Sequence, residues 1–353
     1  MRVAVVAMET SHYRETAGRE RVERVASHLA AAGHDVSVFC SQWWDGHGSQ
    51  FAPESVTYRA VTVSPTVPSF CTRLPVLLAR FRPDVVYAIP EPPAVVLAAS
   101  AGGSLARAPL VVDWFGDESV PAGRTTRAAL RTPDRLVTPS ELVRTTLRER
   151  GAPDEQTSVL PESIDMDLVR EADPAEEVDV VYAHPLDESA NVNALFLGLA
   201  ELRQKDWSAT IIGDGPERET YEQEAADLRI DDRVEFVGAC DRERRVSIYK
   251  GAHVFVQTAF REYFATELLW AMACGCLGIV EYQAESSAHE LIEQRDRAFR
   301  VTNPQEIADR IVASADFERK HVEESWADFD HDAVRDEYEA LFDRLIEEYG
   351  FFR

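Results

Sequence analysis

Two rhythms of apolar residues alternate along this chain. Arg2 to Met8 and Asp35 to Cys40 are short, nearly continuous apolar runs that read as buried strands, while Arg19 to Ala32 between them carries its apolar residues at helical spacing and ends at a Gly33-His34 turn. Strand, helix and strand in that order predict a β-α-β unit of a parallel sheet. Asp134 to Ser140 leads into a helix that ends at Gly151. The rhythm restarts with the run Val178 to Ala183, a helix from about Asn191 to Leu202, and the run Ala209 to Gly213. From Asp332 to near Tyr349, the residues Tyr338, Leu341, Phe342 and Leu345 recur at helical spacing and predict a long terminal helix. There is no internal repeat and no low-complexity tract.

Phe260 to Val280 carries the most chemistry. Thr266 is placed to accept from the free amides of the next turn, Glu267 to Cys274 are mostly good helix formers, and Gly275 suits a left-handed stop, so a helix is expected from about Glu267. Its first amides, at the positive end of the helix dipole, make a seat for a phosphate beside the loop Glu262-Tyr263-Phe264-Ala265. A carboxylate next to such a seat, Glu262, suits the holding of sugar hydroxyls or the stabilising of positive charge at a sugar carbon as a diphosphate leaves. An acidic loop on an acidic protein is the other reading. In Gly213-Asp214-Gly215-Pro216 the two glycines let backbone approach a ligand or a neighbouring strand, and Pro216 fits the first turn of the following helix.

Composition narrows the class. A chain of 353 residues with 45% hydrophobic content suits two ordinary globular domains. It has no run of 18 or more apolar residues, and Met1 to Met8 enters directly on a strand without signal-peptide architecture, so a cytoplasmic location without a transmembrane segment is expected. The net charge of -25 argues against nucleic acid and against electrostatic attachment to an anionic membrane, while leaving peripheral association through a lipid-linked acceptor open. Lysine occurs only at Lys205, Lys250 and Lys320 against 62 acidic residues, a balance that resembles the proteins of salt-loving archaea. In molar salt the Debye length is roughly 3 Å, so an anionic ligand would feel little general repulsion. The five cysteines, Cys40, Cys71, Cys240, Cys274 and Cys276, show no paired metal spacing and are expected as buried, reduced thiols.

With Ala271-Met272-Ala273-Cys274-Gly275 as anchor, the stretch from Glu262 resembles the signature Glu-Gly-Phe-Gly-Leu-Pro-x-x-Glu-Ala-Met-Ala-x-Gly of the retaining family 4 glycosyltransferases. Glu262 and Phe264 keep that pattern, whereas its glycines become Tyr263 and Ala265, its proline Glu267 and its second glutamate, the usual ribose contact, Trp270. Ala209 to Glu217, Asp231 to Gly238 and Ile248 to Val256 follow in the family's order, and Ser158 to Asp165 resembles its interdomain segment. The arginine and lysine that relatives place after the first strand of the second domain correspond here to His184 and Ser189, beside the acidic Asp187 and Glu188.

The resemblance implies an α/β protein of GT-B fold. Two doubly wound, Rossmann-like domains would face across a cleft, with an acceptor-side domain over 1–162, a nucleotide-sugar donor domain over 163–328 and a segment 329–353 whose helix returns to the first domain. It implies Glu262 as the residue at the reacting sugar, and Gly213, Gly215, His184, Tyr263, Phe264, Ala265, Thr266 and Glu267 as donor contacts. Glu267, three residues before Trp270 on the same helix face, is read either as a relocated ribose contact or as a helix-start charge. Acceptor-side candidates are His12, Tyr13, Arg14 and Gly18 after the first strand, with Glu91, Asp113 and Asp117 on later loops. The implied activity is hexosyltransferase-like transfer from a nucleotide-diphosphate sugar to a glycan or lipid-linked acceptor with retention, needing no cofactor and no metal. A fold that has lost turnover and serves as a binding or scaffold partner is the alternative.

Overall fold

The computed structural model describes residues 1–46, 48–53 and 55–351. The chain packs as two compact units, Met1–Glu162 together with the terminal segment from His331, and Ser163–Asp330.

The first unit is built on eight strands, Arg2–Val6 (β1), Asp35–Ser41 (β2), Gln50–Phe51 (β3), Thr57–Thr62 (β4), Val85–Ala88 (β5), Leu110–Asp113 (β6), Arg135–Thr138 (β7) and Thr157–Val159 (β8), in the order β3-β4-β2-β1-β5-β6-β7-β8. Every neighbouring pair is parallel except β3 with β4. The β-α-β unit read from the sequence is present: β1 pairs β2 with Val3 opposite Val36 and Val5 opposite Val38. The helix between them, Ala17–Ala31, is capped by Thr16, whose side chain accepts from the Arg19 amide. Its Val22, Val25, Ala26 and Leu29 share one buried face, as helical spacing requires.

The terminal helix His331–Phe351 lays Tyr338, Leu341, Phe342 and Leu345 into the same core. Each such burial is worth roughly 1.5–3 kcal/mol relative to exposure. A polar network ties the helix down further. The buried Arg21 guanidinium donates to Asp113 through Nε at 3.1 Å, to Glu162 at 3.0 Å, to the Leu160 carbonyl at 2.7 Å and to the Tyr338 hydroxyl at 2.6 Å. Tyr87 and Tyr338 donate to Asp113 Oδ2, one of the two oxygens that Arg21 Nε meets, at 2.6 and 2.7 Å, and Arg24 bonds Glu162 as well.

The second unit holds Val178–Ala183 (β9), Ala209–Ile212 (β10), Val234–Gly238 (β11), Ala252–Gln257 (β12), Arg261–Glu262 (β13), Leu277–Glu281 (β14), Glu285–Ser286 (β15) and Ala298–Val301 (β16). Six of these form a parallel sheet ordered β11-β10-β9-β12-β14-β16, and β13 and β15 make a separate parallel pair. Both units are therefore doubly wound α/β layers, with loops at the carboxyl ends of their strands where such sheets take ligands. Among the described residues no helix is long and apolar enough to cross a membrane.

All five cysteines are free thiols, but only Cys40, Cys274 and Cys276 are buried, while Cys71 and Cys240 reach the surface in part. Burial pushes Cys40 and Cys274 up to about 12, so neither is a thiolate at neutral pH. The expected cap at Thr266 is corrected by one residue. The helix runs Thr266–Ala273 with Ala265 at the cap position, where a methyl side chain has no acceptor to offer, and the Thr266 amide turns back to the Phe264 carbonyl instead. Pro216 likewise precedes its helix, which starts at Arg218.

Candidate functional site

In the second unit, the residues expected on the donor side gather at the carboxyl edge of the sheet. After β9 the chain from His184 to Leu186 passes directly over the turn that follows β10. A Cβ at Gly213 would stand 2.0 Å from the His184 carbonyl oxygen, and one at Gly215 would stand 2.3 Å from that of Leu186. Both positions need glycine because a neighbouring chain segment occupies that space, and Gly213 also has φ +135°. Of the two readings left open by the sequence, close approach to another segment is present, and the two glycines make the room in which His184 is seated.

His184 accordingly points at Glu262. Its Nδ1 lies 2.7 Å from the Pro185 carbonyl, an acceptor only, so Nδ1 carries a proton, and its Nε2 lies 3.3 Å from Glu262 Oε1. Burial alone would push this histidine down, but the hydrogen bond and charge of Glu262, helped by Asp187, raise its pKa above the ordinary value. The same Oε1 accepts from Gln257 Nε2 at 3.0 Å. Glu262 is held at its main chain too, by pairing of β13 with β15 and by the Ser287 amide at 2.8 Å. Its Oε2 has no hydrogen-bond partner among the described residues, so one oxygen is fixed and the other is left for a ligand.

Phe264 and Ala265 are buried and anchor the loop, Tyr263 is half-buried, and Thr266 opens the helix. The first-turn amides, Glu267 and Leu268 among them, have no partner inside the helix. Glu267 itself is fully committed: Oε1 accepts from Arg242 at 3.1 Å and Arg245 at 2.6 Å, and Oε2 from Arg242 at 3.1 Å and the Tyr249 hydroxyl at 2.5 Å. Three donors make four hydrogen bonds to it, two on each oxygen, which favours the helix-start charge over a relocated ribose contact. Trp270 is buried with the Arg242 guanidinium 4.7 Å from its ring centroid. Ser189 turns inward, giving its amide and hydroxyl to Asp187.

In the first unit, the loop after β1 is ordered by side-chain contacts. His12 stacks on Trp43 with ring centroids 3.5 Å apart, and Tyr13 donates to the Gln42 carbonyl at 2.5 Å. Arg14 pairs with Glu91 at 2.9 Å, a carboxylate that also takes Arg19 at 3.1 Å. The Gly18 amide donates to Asp117 Oδ2 at 3.1 Å, and a Cβ there would meet Asp117 Oδ1 at 2.8 Å. Asp113 does not join them. Expected on a ligand-facing loop, it is buried under Arg21, Tyr87 and Tyr338, because the last residue of β6 turns its side chain into the core beneath the terminal helix. Glu118, which the sequence reading passed over, accepts from the Phe115 and Gly116 amides at 2.7 and 2.8 Å. Burial and its neighbour Asp117 push it up to about 8.

Gln257, Arg242 and Arg245 are the other residues that sequence reasoning did not assign a place. Nothing in the order of residues marks two arginines of one helix as partners of Glu267, or a glutamine at the end of a strand as a carboxylate's partner. Among the described residues no group of three or more His, Cys, Asp and Glu is placed to hold a metal ion.

Residues 16–162 match the Glycosyl transferase 4-like domain, and residues 167–316 match Glycosyl transferases group 1. No curated protein sequence matches the chain. Among solved structures, it is similar to a glycosyltransferase from Rickettsia africae at 14% identity and TM-score 0.77, covering 98% of each chain. It is similar to HepE of Anabaena in complex with UDP at 16% identity and TM-score 0.73, over 98% of this chain and 100% of that one. Sucrose-phosphate synthase from Thermosynechococcus elongatus shares 16% identity at TM-score 0.65, over 99% and 97%. With two doubly wound units, each matched by a glycosyltransferase domain and together superposing on whole enzymes of that architecture, the chain is a GT-B glycosyltransferase.

Proposed function

We propose that this glycosyltransferase takes a sugar from a nucleoside diphosphate donor bound to the second unit and passes it, with retention of configuration, to a glycan or lipid-linked acceptor. The observation that carries the reading is the Glu262 carboxylate, fixed through one oxygen by Gln257 and His184 with the other oxygen unpartnered, next to the first turn of the helix Thr266–Ala273. HepE, similar in fold, has been solved with UDP and with UDP-glucose, and a uridine diphosphate sugar is the first donor to test.

In the reaction, the acceptor oxygen bonds to the anomeric carbon on the face from which the diphosphate departs. The bond from that carbon to the diphosphate breaks with its electron pair, and the acceptor proton passes to the leaving oxygen. Glu262 contacts the donor sugar, and main-chain amides with nearby cations, rather than a divalent metal, face the diphosphate. His12, Tyr13, Arg14, Glu91 and Asp117 are proposed on the acceptor side.

Glu262→Gln should lower turnover by roughly a hundredfold, the scale of losing one group that acts on the developing charge, while nucleotide binding persists. Donor turnover measured with and without EDTA, and NMR of the product anomer, complete the test. An inverted product or loss of turnover in EDTA restored by magnesium would refute the mechanism. The alternative, a donor-binding protein without turnover, draws on Trp270 and the saturated Glu267, which leave no ribose-binding carboxylate in that helix. Nucleotide binding with no hydrolysis or transfer across a panel of nucleotide sugars and glycan acceptors would favour it.

A further inference from the structure

Resting on the donor-site reading above, we infer that Arg242 and Arg245 hold the donor's diphosphate, with Glu267 and Tyr249 as the residues that position them. The segment after β9 offers the diphosphate little. Its one basic side chain, His184, is engaged with Glu262 and the Pro185 carbonyl, Ser189 is tied to Asp187, and Asp187 and Glu188 add negative charge.

The helix Arg242–Gly251 brings a different pair of cations to the neighbouring helix start. Arg242 and Arg245 are three residues apart, hence on one face, and both reach Glu267 in the first turn of Thr266–Ala273. Glu267 balances one of the two positive charges. No other carboxylate among the described residues pairs with either arginine, so the cluster keeps a net positive charge on a protein of net charge -25.

Each guanidinium is held on one side and unsatisfied on the other. Arg242 lies over the Trp270 ring at 4.7 Å and uses only Nη1 for Glu267, leaving Nε and Nη2 without a hydrogen-bond partner among the described residues. Arg245 gives Nε to the Cys240 carbonyl at 3.0 Å and Nη1 to Glu267, leaving Nη2. Their side chains remain 32% and 29% exposed, so both guanidinium-bearing chains reach the surface in part. An open fork on Arg242 and the remaining Nη2 of Arg245, both held in place beforehand, suit phosphate oxygens and reduce the entropy lost on binding. A second arginine adds little to a carboxylate already met by one arginine and a tyrosine, so its charge is better explained by an anion it receives.

The test is isothermal titration of the full chain with UDP, GDP, ADP, CDP and dTDP, and with the nucleoside of whichever binds most tightly. The double variant Arg242→Gln, Arg245→Gln should lose about tenfold or more in diphosphate affinity while nucleoside affinity stays within about twofold, as expected for charge-assisted bonds to the diphosphate alone. Its diphosphate affinity should also depend less steeply on salt. Arg242→Lys should recover part of the charge-dependent affinity. The single variant Arg242→Gln gives the same reading with a smaller loss if the pair melts early. Glu267→Gln should weaken diphosphate binding without changing nucleoside binding. Equal loss for nucleoside and diphosphate, or undiminished diphosphate affinity in a folded variant, would overturn the inference and leave the donor-site reading standing. An unaltered chain that binds none of the five diphosphates would refute the donor-site reading and this inference with it.

Discussion

Gly213→Ala is the substitution whose consequence can be worked out most fully. The change asks two things of the chain. A non-glycine residue must sit at φ +135°, and its Cβ must be accommodated 2.0 Å from the His184 carbonyl oxygen, which is backbone and moves only with β9. The first costs about 1–2 kcal/mol and the second, as overpacking, about 1–3 kcal/mol. Together they give about 2–5 kcal/mol of the second unit's stability. Two neighbours in the same unit separate the terms. Gly238 has φ +75° and meets only the flexible end of Arg218 at 3.2 Å, so Gly238→Ala should cost about 1–2 kcal/mol. Gly215 meets the Leu186 carbonyl oxygen at 2.3 Å without a left-handed φ, so Gly215→Ala should cost about 1–3 kcal/mol. Urea unfolding followed by tryptophan fluorescence, fitted as two transitions because the chain has two units, reads the three costs on one scale. In a folded fraction, Gly213→Ala should also disturb the His184 to Glu262 contact and weaken donor turnover. A Gly213→Ala protein as stable as Gly238→Ala would show that the close approach of residues 184 and 213 is not what glycine serves there.

Two further outcomes follow from the same geometry. The folded-state pKa of His184 is raised, so its pairing with Glu262 is fully present below the ordinary histidine value and is lost as pH rises through the raised one. Donor affinity should fall across that window, His184→Gln should flatten the profile, and an unchanged profile in the folded variant would remove His184 from the site. Asp113→Ala leaves Arg21 buried with half its carboxylate partners and should cost about 3–5 kcal/mol of the first unit's stability. If Asp113→Asn instead raised the acceptor KM in a protein that melts like the parent, the buried structural role given to it here would be wrong.

What the sequence determined by itself is what local physics writes into it. Strands and helices bury one face or both, so their periods of two and 3.6 leave a local trace, and β1, the helix Ala17–Ala31, β2, β9 and the terminal helix were all legible from apolar spacing. Gly275 as a left-handed stop was legible for the same reason, since a positive φ is a property of one residue, and it stands at φ +92°. Glu262 was singled out because a motif joins it to the helix start a few residues on. Partnership between distant residues leaves no such trace. Only the packing of β9 against β10 and β12 decides that His184 and Gln257 meet one oxygen of Glu262, that Gly213 and Gly215 make room for a neighbouring segment, and that Glu267 is bonded by Arg242, Arg245 and Tyr249. Asp113 shows the same limit from the other side. A polar residue at the end of a buried strand reads as ligand-facing until the terminal helix, more than two hundred residues later in the chain, covers it with Tyr338 at 2.7 Å. Spacing encodes which face a residue shares with its near neighbours, and the charges and hydroxyls that complete a site come from whichever elements the sheet order sets side by side.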